Sequence, residues 1–160
     1  MTYYTEHPSP LGTLVLAASD RGLSGVYFEQ HKYFSGPSGW ERNDGHPHLR
    51  EAMRQLNEYF AGERDTFDLA LDIRGTPFQR AVWSALQALP FGVTTSYREI
   101  AQRLANPKAI RAAGTAIGRN PVSIIVPCHR VLGTSGTLSG YAGGLERKQY
   151  LLAFEKRMGK

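Results

Sequence analysis

The fold of the C-terminal half is decided by residues 96–118, which read SYREIAQRLANPKAIRAAGTAIG. Ser96-Tyr-Arg-Glu99 is a capping box, so a helix is expected to begin at Tyr97. Asn106-Pro107 breaks that helix and opens a second one with proline at its first position. Two short capped helices joined by a tight turn are typical of a helix-turn-helix.

The second helix of this pair carries small residues beside basic ones on the face away from the predicted core. Helices that recognise bases in the major groove usually display larger polar side chains. Small residues instead let a helix come close to a surface, as in a minor groove. Small residues also serve close packing between two helices, so both interpretations remain open. The residues on this outer face are Lys108, Arg111, Ala112, Thr115 and Arg119; Ala109, Ile110, Ala113 and Ile117 are expected to face the core.

The distribution of charge divides the chain into two halves. Residues 1–73 carry six Lys/Arg and eleven Asp/Glu, a net −5, and residues 74–160 carry thirteen and three, a net +10, which together give +5. A basic half points to a polyanionic partner, most commonly nucleic acid, with a solvated basic surface as the alternative. Thr76-Pro-Phe-Gln79 also starts a helix with a capping box. We therefore predict a support domain over 1–73 and a functional domain over 74–160.

The N-terminal half is predicted to be a small α/β unit. Residues 11–17 and 22–28 read as two strands joined by a hairpin, and apolar residues at helical spacing predict a helix from Pro47 that ends at Gly62. Alternating residues over Phe67–Ile73 predict a half-exposed strand. No catalytic constellation is visible in this half.

Several classes of protein are not expected. A single cysteine cannot form an internal disulfide, and no apolar run approaches the ~20 residues of a membrane span. The N-terminus lacks the pattern of a signal peptide, so we expect a cytoplasmic protein without a membrane partner. His46 and His48 have no accompanying cysteine or clear carboxylate geometry, so we interpret them as exposed loop histidines and expect no metal.

The one cysteine, Cys128, follows the apolar run Val122–Val126 and Pro127, and precedes His129. We interpret the run as a buried strand that brings a thiol to its end, where an imidazole can help generate the thiolate. A buried cysteine is also a common core residue. Neighbouring side chains of an extended chain point to opposite faces, so a direct contact between thiol and imidazole needs a turn or a bridging water. The amide of Asn120 is expected to tie local backbone groups together.

Glycine-rich segments and a last helix follow the cysteine. Tyr141 lies among glycines, where it can stack on a flat ligand or pack on the core. The final helix is expected over 144–157, with Leu145, Lys148, Leu152 and Glu155 toward one side. A Glu155 carboxylate on His129 would complete a Cys–His–Glu relay, but spacing alone favours a surface salt bridge to Lys156 or Lys160.

Three motifs together resemble one family. Val126-Pro-Cys-His-Arg-Val131, with Asn120-Pro121 before it and Gly140-Tyr-Ala-Gly-Gly144 after it, is similar to the O6-alkylguanine-DNA alkyltransferases, the methylated-DNA–protein-cysteine methyltransferases of direct-reversal repair. The resemblance covers about Thr76 to Glu155. It implies an α/β (α+β) fold: a small N-terminal α/β domain with a short antiparallel sheet, and a mostly helical C-terminal domain with a winged-helix-like helix-turn-helix.

The resemblance also implies a role for each site residue. Cys128 would accept the alkyl group irreversibly, His129 would act as base through a water with Glu155 orienting it, Asn120 would hold the turn, and Tyr97 would assist the leaving guanine. Arg111 would fill the space of the flipped nucleotide, and further DNA contacts would come from Ala112, Thr115, Arg119 and Tyr97. The guanine pocket would include Tyr141, Ala142, Val131 and Ser139. The small Ala142 suggests a pocket that accepts alkyl groups larger than methyl.

The implied partner is double-stranded DNA containing O6-alkylguanine, with O4-alkylthymine as a further substrate, bound through the minor groove with low sequence specificity. The protein is expected to act once, as a monomer that can cluster on DNA, without a cofactor. Zinc-binding relatives use N-terminal cysteines, which this chain lacks. Alternatives are a non-catalytic alkylguanine sensor, whose relatives replace the cysteine, and a thiol hydrolase, which gives no reason for the helix-turn-helix.

Overall fold

The structure, a computed structural model, describes residues 1–133 and 141–159. The chain divides into two compact units, Met1–Arg74 and Gly75–Lys160. The mixed α/β class, with a small N-terminal sheet and a helical C-terminal part, is confirmed. In the described part of the chain, no helix is long and apolar enough to cross a membrane.

The first unit is a four-stranded sheet with one helix. Its strands β1 to β4 lie in the order β3-β2-β1-β4, with β4 parallel to β1 and the other pairs antiparallel. Leucines of the sheet and of the helix are fully buried together, as Leu14, Leu16, Leu49 and Leu56 show. The elements are β1 (Tyr3–Ser9), β2 (Gly12–Ala18), β3 (Leu23–Tyr27), β4 (Glu41–Arg42) and α1 (Pro47–Phe60).

The predicted hairpin and helix of this unit are found as β2, β3 and α1, but the predicted strand over Phe67–Ile73 is wrong. Only Leu71 bridges β3, at Leu23. At Asp68 the amide of Gln55 replaces a neighbouring strand: its Nε2 donates to the carbonyl at 2.8 Å and its Oε1 accepts the backbone N–H at 2.9 Å. Exposure alternates from Phe67 to Leu71, but the hydrogen bonds that flank the bridge, from Leu23 to Ala70 and from Asp72 to Leu23, do not extend into a strand.

The described part of the second unit contains four helices, two short strands and two 3-10 helices. Thr76 and Gln79 form the predicted capping box at the start of α2. Trp83 on α2 donates its indole N–H to the carbonyl of Ala116 on α4 at 2.8 Å. The bounds are α2 (Pro77–Gln87), β5 (Thr95–Ser96), α3 (Tyr97–Arg103), α4 (Ile110–Gly118), β6 (Val131–Leu132) and α5 (Leu145–Met158), with 3-10 helices over Pro107–Ala109 and Cys128–Arg130.

The predicted helix-turn-helix is formed by α3 and α4. The hydroxyl of Ser96 accepts the N–H of Glu99 at 3.1 Å and caps α3. The second helix differs from expectation at its start, because Pro107 opens a 3-10 helix and α4 begins only at Ile110. Strand β5, which precedes α3 directly, pairs in parallel with β6, which follows the cysteine turn directly.

Candidate active site

The segment before the cysteine is buried but is not the predicted strand. Over Val122–Val126 the chain turns back on itself: the N–H of Val126 donates to the carbonyl of Val122 at 3.0 Å. Ile124 takes a left-handed conformation with φ of 73°. A β-branched residue rarely adopts that conformation, so its environment must hold it there. Cys128 therefore follows a closed loop and not a strand end.

Asn120 holds this loop closed from the inside. Its Nδ2 donates to the carbonyl of Val126 at 2.8 Å and, more weakly, to that of Val122 at 3.4 Å, while its Oδ1 accepts the N–H of Val122 at 3.0 Å. The same Nδ2 lies 3.2 Å from Sγ of Cys128. The expected backbone-tying role of this amide is present, and it extends to the thiol itself.

The Pro-Cys-His-Arg sequence forms a 3-10 helix over Cys128–Arg130. This turn removes the constraint of an extended chain, in which the thiol and the imidazole would point to opposite faces. The Cys128 side chain is 5% exposed, and His129 is completely buried. The thiol and the imidazole are thus both buried, where electrostatic interactions are strong.

His129 is oriented by Glu155 on α5. Its Nε2 lies 2.8 Å from Oε2 of Glu155, and both side chains are buried. A carboxylate only accepts hydrogen bonds, so Nε2 carries the proton. Burial lowers the pKa of His129, against the raising effect of Glu155, so the ring is a neutral imidazole with a bare Nδ1. Among the described residues Nδ1 has no hydrogen-bond partner, so it is available to take a proton.

The Glu155 carboxylate is also held by Arg130, a residue that the sequence reasoning did not single out. The guanidinium forms a two-point contact, with Nε to Oε1 at 2.8 Å and Nη2 to Oε2 at 2.9 Å. Burial alone would raise the pKa of Glu155, but the hydrogen bonds from His129 and Arg130 outweigh it and hold that pKa far below its usual range. The surface salt bridge to Lys156 or Lys160 that spacing favoured is therefore wrong, because Glu155 faces inward.

The resting thiol is not a free thiolate. Burial raises the pKa of Cys128, and four contributions partly offset this: the amide of Asn120, the charge of Lys148, the backbone N–H of Cys128 itself and the side chain of Tyr141. Lys148 on α5 is fully buried, and burial lowers its pKa to about 8. Its place on the inner side of α5 agrees with the predicted helix face, whereas Leu145, expected on the same side, is 49% exposed because it opens the helix. A buried protonated thiol needs a base to react.

The residues proposed for DNA contact lie on the helix-turn-helix. The side chains on the outer face of α4 are exposed, whereas Ala113 and Ile117 are buried. Tyr97 at the start of α3 lies against α4, where a Cβ on Gly114 would come 3.6 Å from its ring. The exposed outer residues of α4 and its C-terminus are Arg111, Ala112, Thr115 and Arg119.

The proposed pocket residues are only partly described. Val131 is buried, and Tyr141 and Ala142 are half-buried. Ser139 lies outside the described residues. Among the residues that the structure describes, no group of three or more His, Cys, Asp or Glu side chains could hold a metal ion.

Comparisons with known proteins show the family of this chain. The family described as "6-O-methylguanine DNA methyltransferase, DNA binding domain" matches residues 77–157, and "6-O-methylguanine DNA methyltransferase, ribonuclease-like domain" matches residues 2–73. A methylated-DNA–protein-cysteine methyltransferase of Mycolicibacterium paratuberculosis is 49% identical over 98% of this chain and 94% of its own length. One of Methanosarcina acetivorans is 49% identical over 96% and 97%. The crystal structure of Mycobacterium tuberculosis OGT in complex with DNA matches with a TM-score of 0.90 at 46% identity, covering 98% of this chain and 94% of that one.

Proposed function

Because this chain belongs to the 6-O-methylguanine DNA methyltransferase family, we propose that it repairs DNA by moving the alkyl group from O6 of guanine to its own Cys128. The observation that carries the assignment to this residue is the arrangement around the single thiol. Cys128 is buried, accepts a hydrogen bond from Asn120, and precedes an imidazole whose far nitrogen is fixed by Glu155.

The chemical step is a direct displacement at carbon. The Cys128 thiol gives its proton to Nδ1 of His129 through one water, and the thiolate attacks the alkyl carbon. The S–C bond forms as the C–O6 bond breaks, and the electron pair of that bond goes to the guanine. Tyr97 supports protonation of the leaving guanine. Overall one proton leaves the thiol and one arrives on the base, with no change in oxidation state.

The DNA side of the reaction is assigned to α3 and α4. A base inside a duplex cannot present its O6 substituent to a buried thiol, so the nucleotide must be flipped at a cost of a few kcal/mol. Arg111, exposed in the first turn of α4, is suited to fill the space left in the stack. Small exposed residues such as Ala112 and Thr115 allow close, sequence-tolerant contact in a minor groove, and the net +10 of residues 74–160 supports affinity for phosphate.

Each molecule is expected to react once. A thioether is stable, and the chain holds no second cysteine to remove the alkyl group. No cofactor enters the displacement. We expect the protein to act in the cytoplasm, as a monomer on double-stranded DNA, with O4-alkylthymine as a second substrate.

Intact mass after incubation with duplex DNA containing O6-methylguanine tests this function. We expect a gain of one CH2 per protein, located on Cys128 and saturating at one equivalent. Cys128→Ser should abolish transfer and leave DNA binding intact. Tight binding without an adduct would favour a sensor, and product release with turnover would favour a hydrolase; either result rejects the proposal.

A further inference from the structure

We propose that Arg130 is a positioning residue for the alkyl transfer: its guanidinium fixes the Glu155 carboxylate so that His129 is held as the Nε2–H tautomer of a neutral imidazole. The inference rests on the proposed function of Cys128. It concerns a residue that touches neither substrate nor thiol and acts through Glu155.

The geometry of the carboxylate carries the first part of the inference. Arg130 donates one hydrogen bond to each oxygen of Glu155, at 2.8 and 2.9 Å. His129 binds Oε2 at 2.8 Å, and the N–H of Gly92 reaches Oε1 at 3.4 Å. Loss of Arg130 would remove a short hydrogen bond from both oxygens of the carboxylate. A two-point guanidinium contact therefore sets the plane in which His129 is bound.

Arg130 is itself fixed by groups outside the pair. Its Nη1 donates to the carbonyl of Leu89, just beyond α2, at 2.7 Å, and its guanidinium carbon lies 5.7 Å from the centre of the Phe91 ring. The side chain is 5% exposed. It thus connects the residues after α2, the cysteine turn and α5, so the position of Glu155 is determined by three segments of the unit.

Charge balance carries the second part. A lone buried carboxylate would draw a proton onto His129, and an imidazolium cannot accept the thiol proton. Arg130 neutralises Glu155 and favours the uncharged ring. Among the described residues, the other ionisable groups around this cluster are Lys148 on α5, which also disfavours the imidazolium, the Cys128 thiol on its own turn, and Tyr141, whose side chain lowers the pKa of that thiol. Arg130 is the cation that contacts Glu155 directly.

Two substitutions separate geometry from charge. Arg130→Lys keeps the charge and loses the two-point contact, so we expect transfer to O6-methylguanine DNA to slow by about 10- to 100-fold with an unchanged acid limb of the pH–rate profile. Arg130→Met loses both, so the rate should fall and the midpoint of the acid limb should rise by about one pH unit. Arg54→Met is the matched control, because Arg54 also pairs with two glutamates, Glu51 and Glu58, but on the exposed face of α1. Circular dichroism establishes which variants are folded.

The tautomer is read directly, without substrate. ¹⁵N chemical shifts of His129 in the unsubstituted protein at pH 7 should show a protonated Nε2 and a bare Nδ1, assigned by comparison with His129→Gln. A protonated Nδ1 there, or an unaltered rate and pH profile in folded Arg130→Lys and Arg130→Met, overturns the inference. If Arg130→Met does not fold, Arg130→Lys and the spectrum decide. Absence of any adduct on the unsubstituted protein instead refutes the proposed function and leaves the spectrum interpretable.

Discussion

The side-chain amide of Asn120 contacts the thiol of Cys128, with Nδ2 and Sγ 3.2 Å apart. The same amide closes the loop that carries Ile124 in its left-handed conformation. One side chain thus stabilises both the unusual backbone before the cysteine and the charge that develops on the sulfur.

Asn120→Ala should damage stability and reactivity together. It removes the acceptor of the buried Val122 N–H and one of the donors to the Val126 carbonyl, which keeps the N–H of Cys128. We therefore expect a loss of about 2–4 kcal/mol in the free energy of unfolding, measured by urea denaturation. It also removes a donor to Sγ, so the pKa of Cys128, measured from the pH dependence of iodoacetamide alkylation, should rise. Asn106→Ala is the control, because the Asn106 side chain caps nothing. A normal free energy of unfolding in Asn120→Ala would contradict the conclusion that Asn120 holds the loop over Val122–Val126 closed.

Lys148→Met should stabilise the fold and slow methyl transfer to Cys128. Burial lowers the pKa of Lys148 to about 8 from 10.5, so the unfolded chain binds more protons between these values and stability rises with pH across that window. Methionine removes the cost of the buried ammonium, a gain of up to about 3 kcal/mol at pH 7. The thiolate loses its nearby cation, so the pKa of Cys128 should rise.

Unfolding curves at pH 7 and pH 10 check the first effect, since the difference between Lys148→Met and the unsubstituted protein should shrink at the higher pH. The rate of methyl transfer at pH 7 checks the second. Lys156→Met, on the exposed side of α5, should change neither. Faster methyl transfer in Lys148→Met would show that the Lys148 ammonium does not stabilise the Cys128 thiolate.

Arg111→Ala should slow repair of duplex DNA far more than reaction with free O6-benzylguanine, because only the duplex requires a base to be flipped. Rates of adduct formation on both substrates, from intact mass, give the ratio. Lys156→Ala controls for loss of one exposed positive charge. Equal slowing on both substrates would place Arg111 in the chemical step instead.

Ala142 leads us to expect transfer of groups larger than methyl. Benzyl adducts should react at rates comparable with methyl adducts, and Ala142→Phe should reduce the benzyl rate by about tenfold or more relative to the methyl rate, through overpacking. Ala153→Phe, on the exposed side of α5, is the control. A benzyl transfer rate far below the methyl rate in the unsubstituted protein would refute the prediction that the pocket accepts groups larger than methyl.

Much of the fold could be predicted because the residues that start its helices act on the backbone next to them in the sequence. Capping residues such as Ser96 and Thr76 determine helix starts from neighbouring backbone alone, and both were found where predicted. The strand expected over Val122–Val126 failed because burial and backbone conformation are separate properties. An apolar run predicts burial, which is correct, but the nearby side-chain amide of Asn120 holds the chain in a turn, and the apolar pattern does not show that.

The sequence predicted most of the residues that form the site, but it predicted fewer of the contacts between them. Glu155 could be raised as a partner of His129 from the residues, but 26 residues separate them and only the family resemblance favoured this pairing over a surface salt bridge. Arg130 was missed because a basic residue in a basic half carries no signal by itself. A usable signal was present nevertheless: an arginine directly after a buried Cys-His pair must find an anion, and this half has only three acids.

The parallel pairing of β5 with β6 has a consequence for cooperativity. Thr95 pairs with Val131 and Ser96 with Leu132, so these contacts enclose α3, α4 and the cysteine turn in one loop of the chain. Neither part can detach without opening the same few bonds, so we expect their amides to exchange with solvent through a common opening event. A change that disrupts the packing at Cys128 should then also destabilise α3 and α4 and reduce the affinity for DNA.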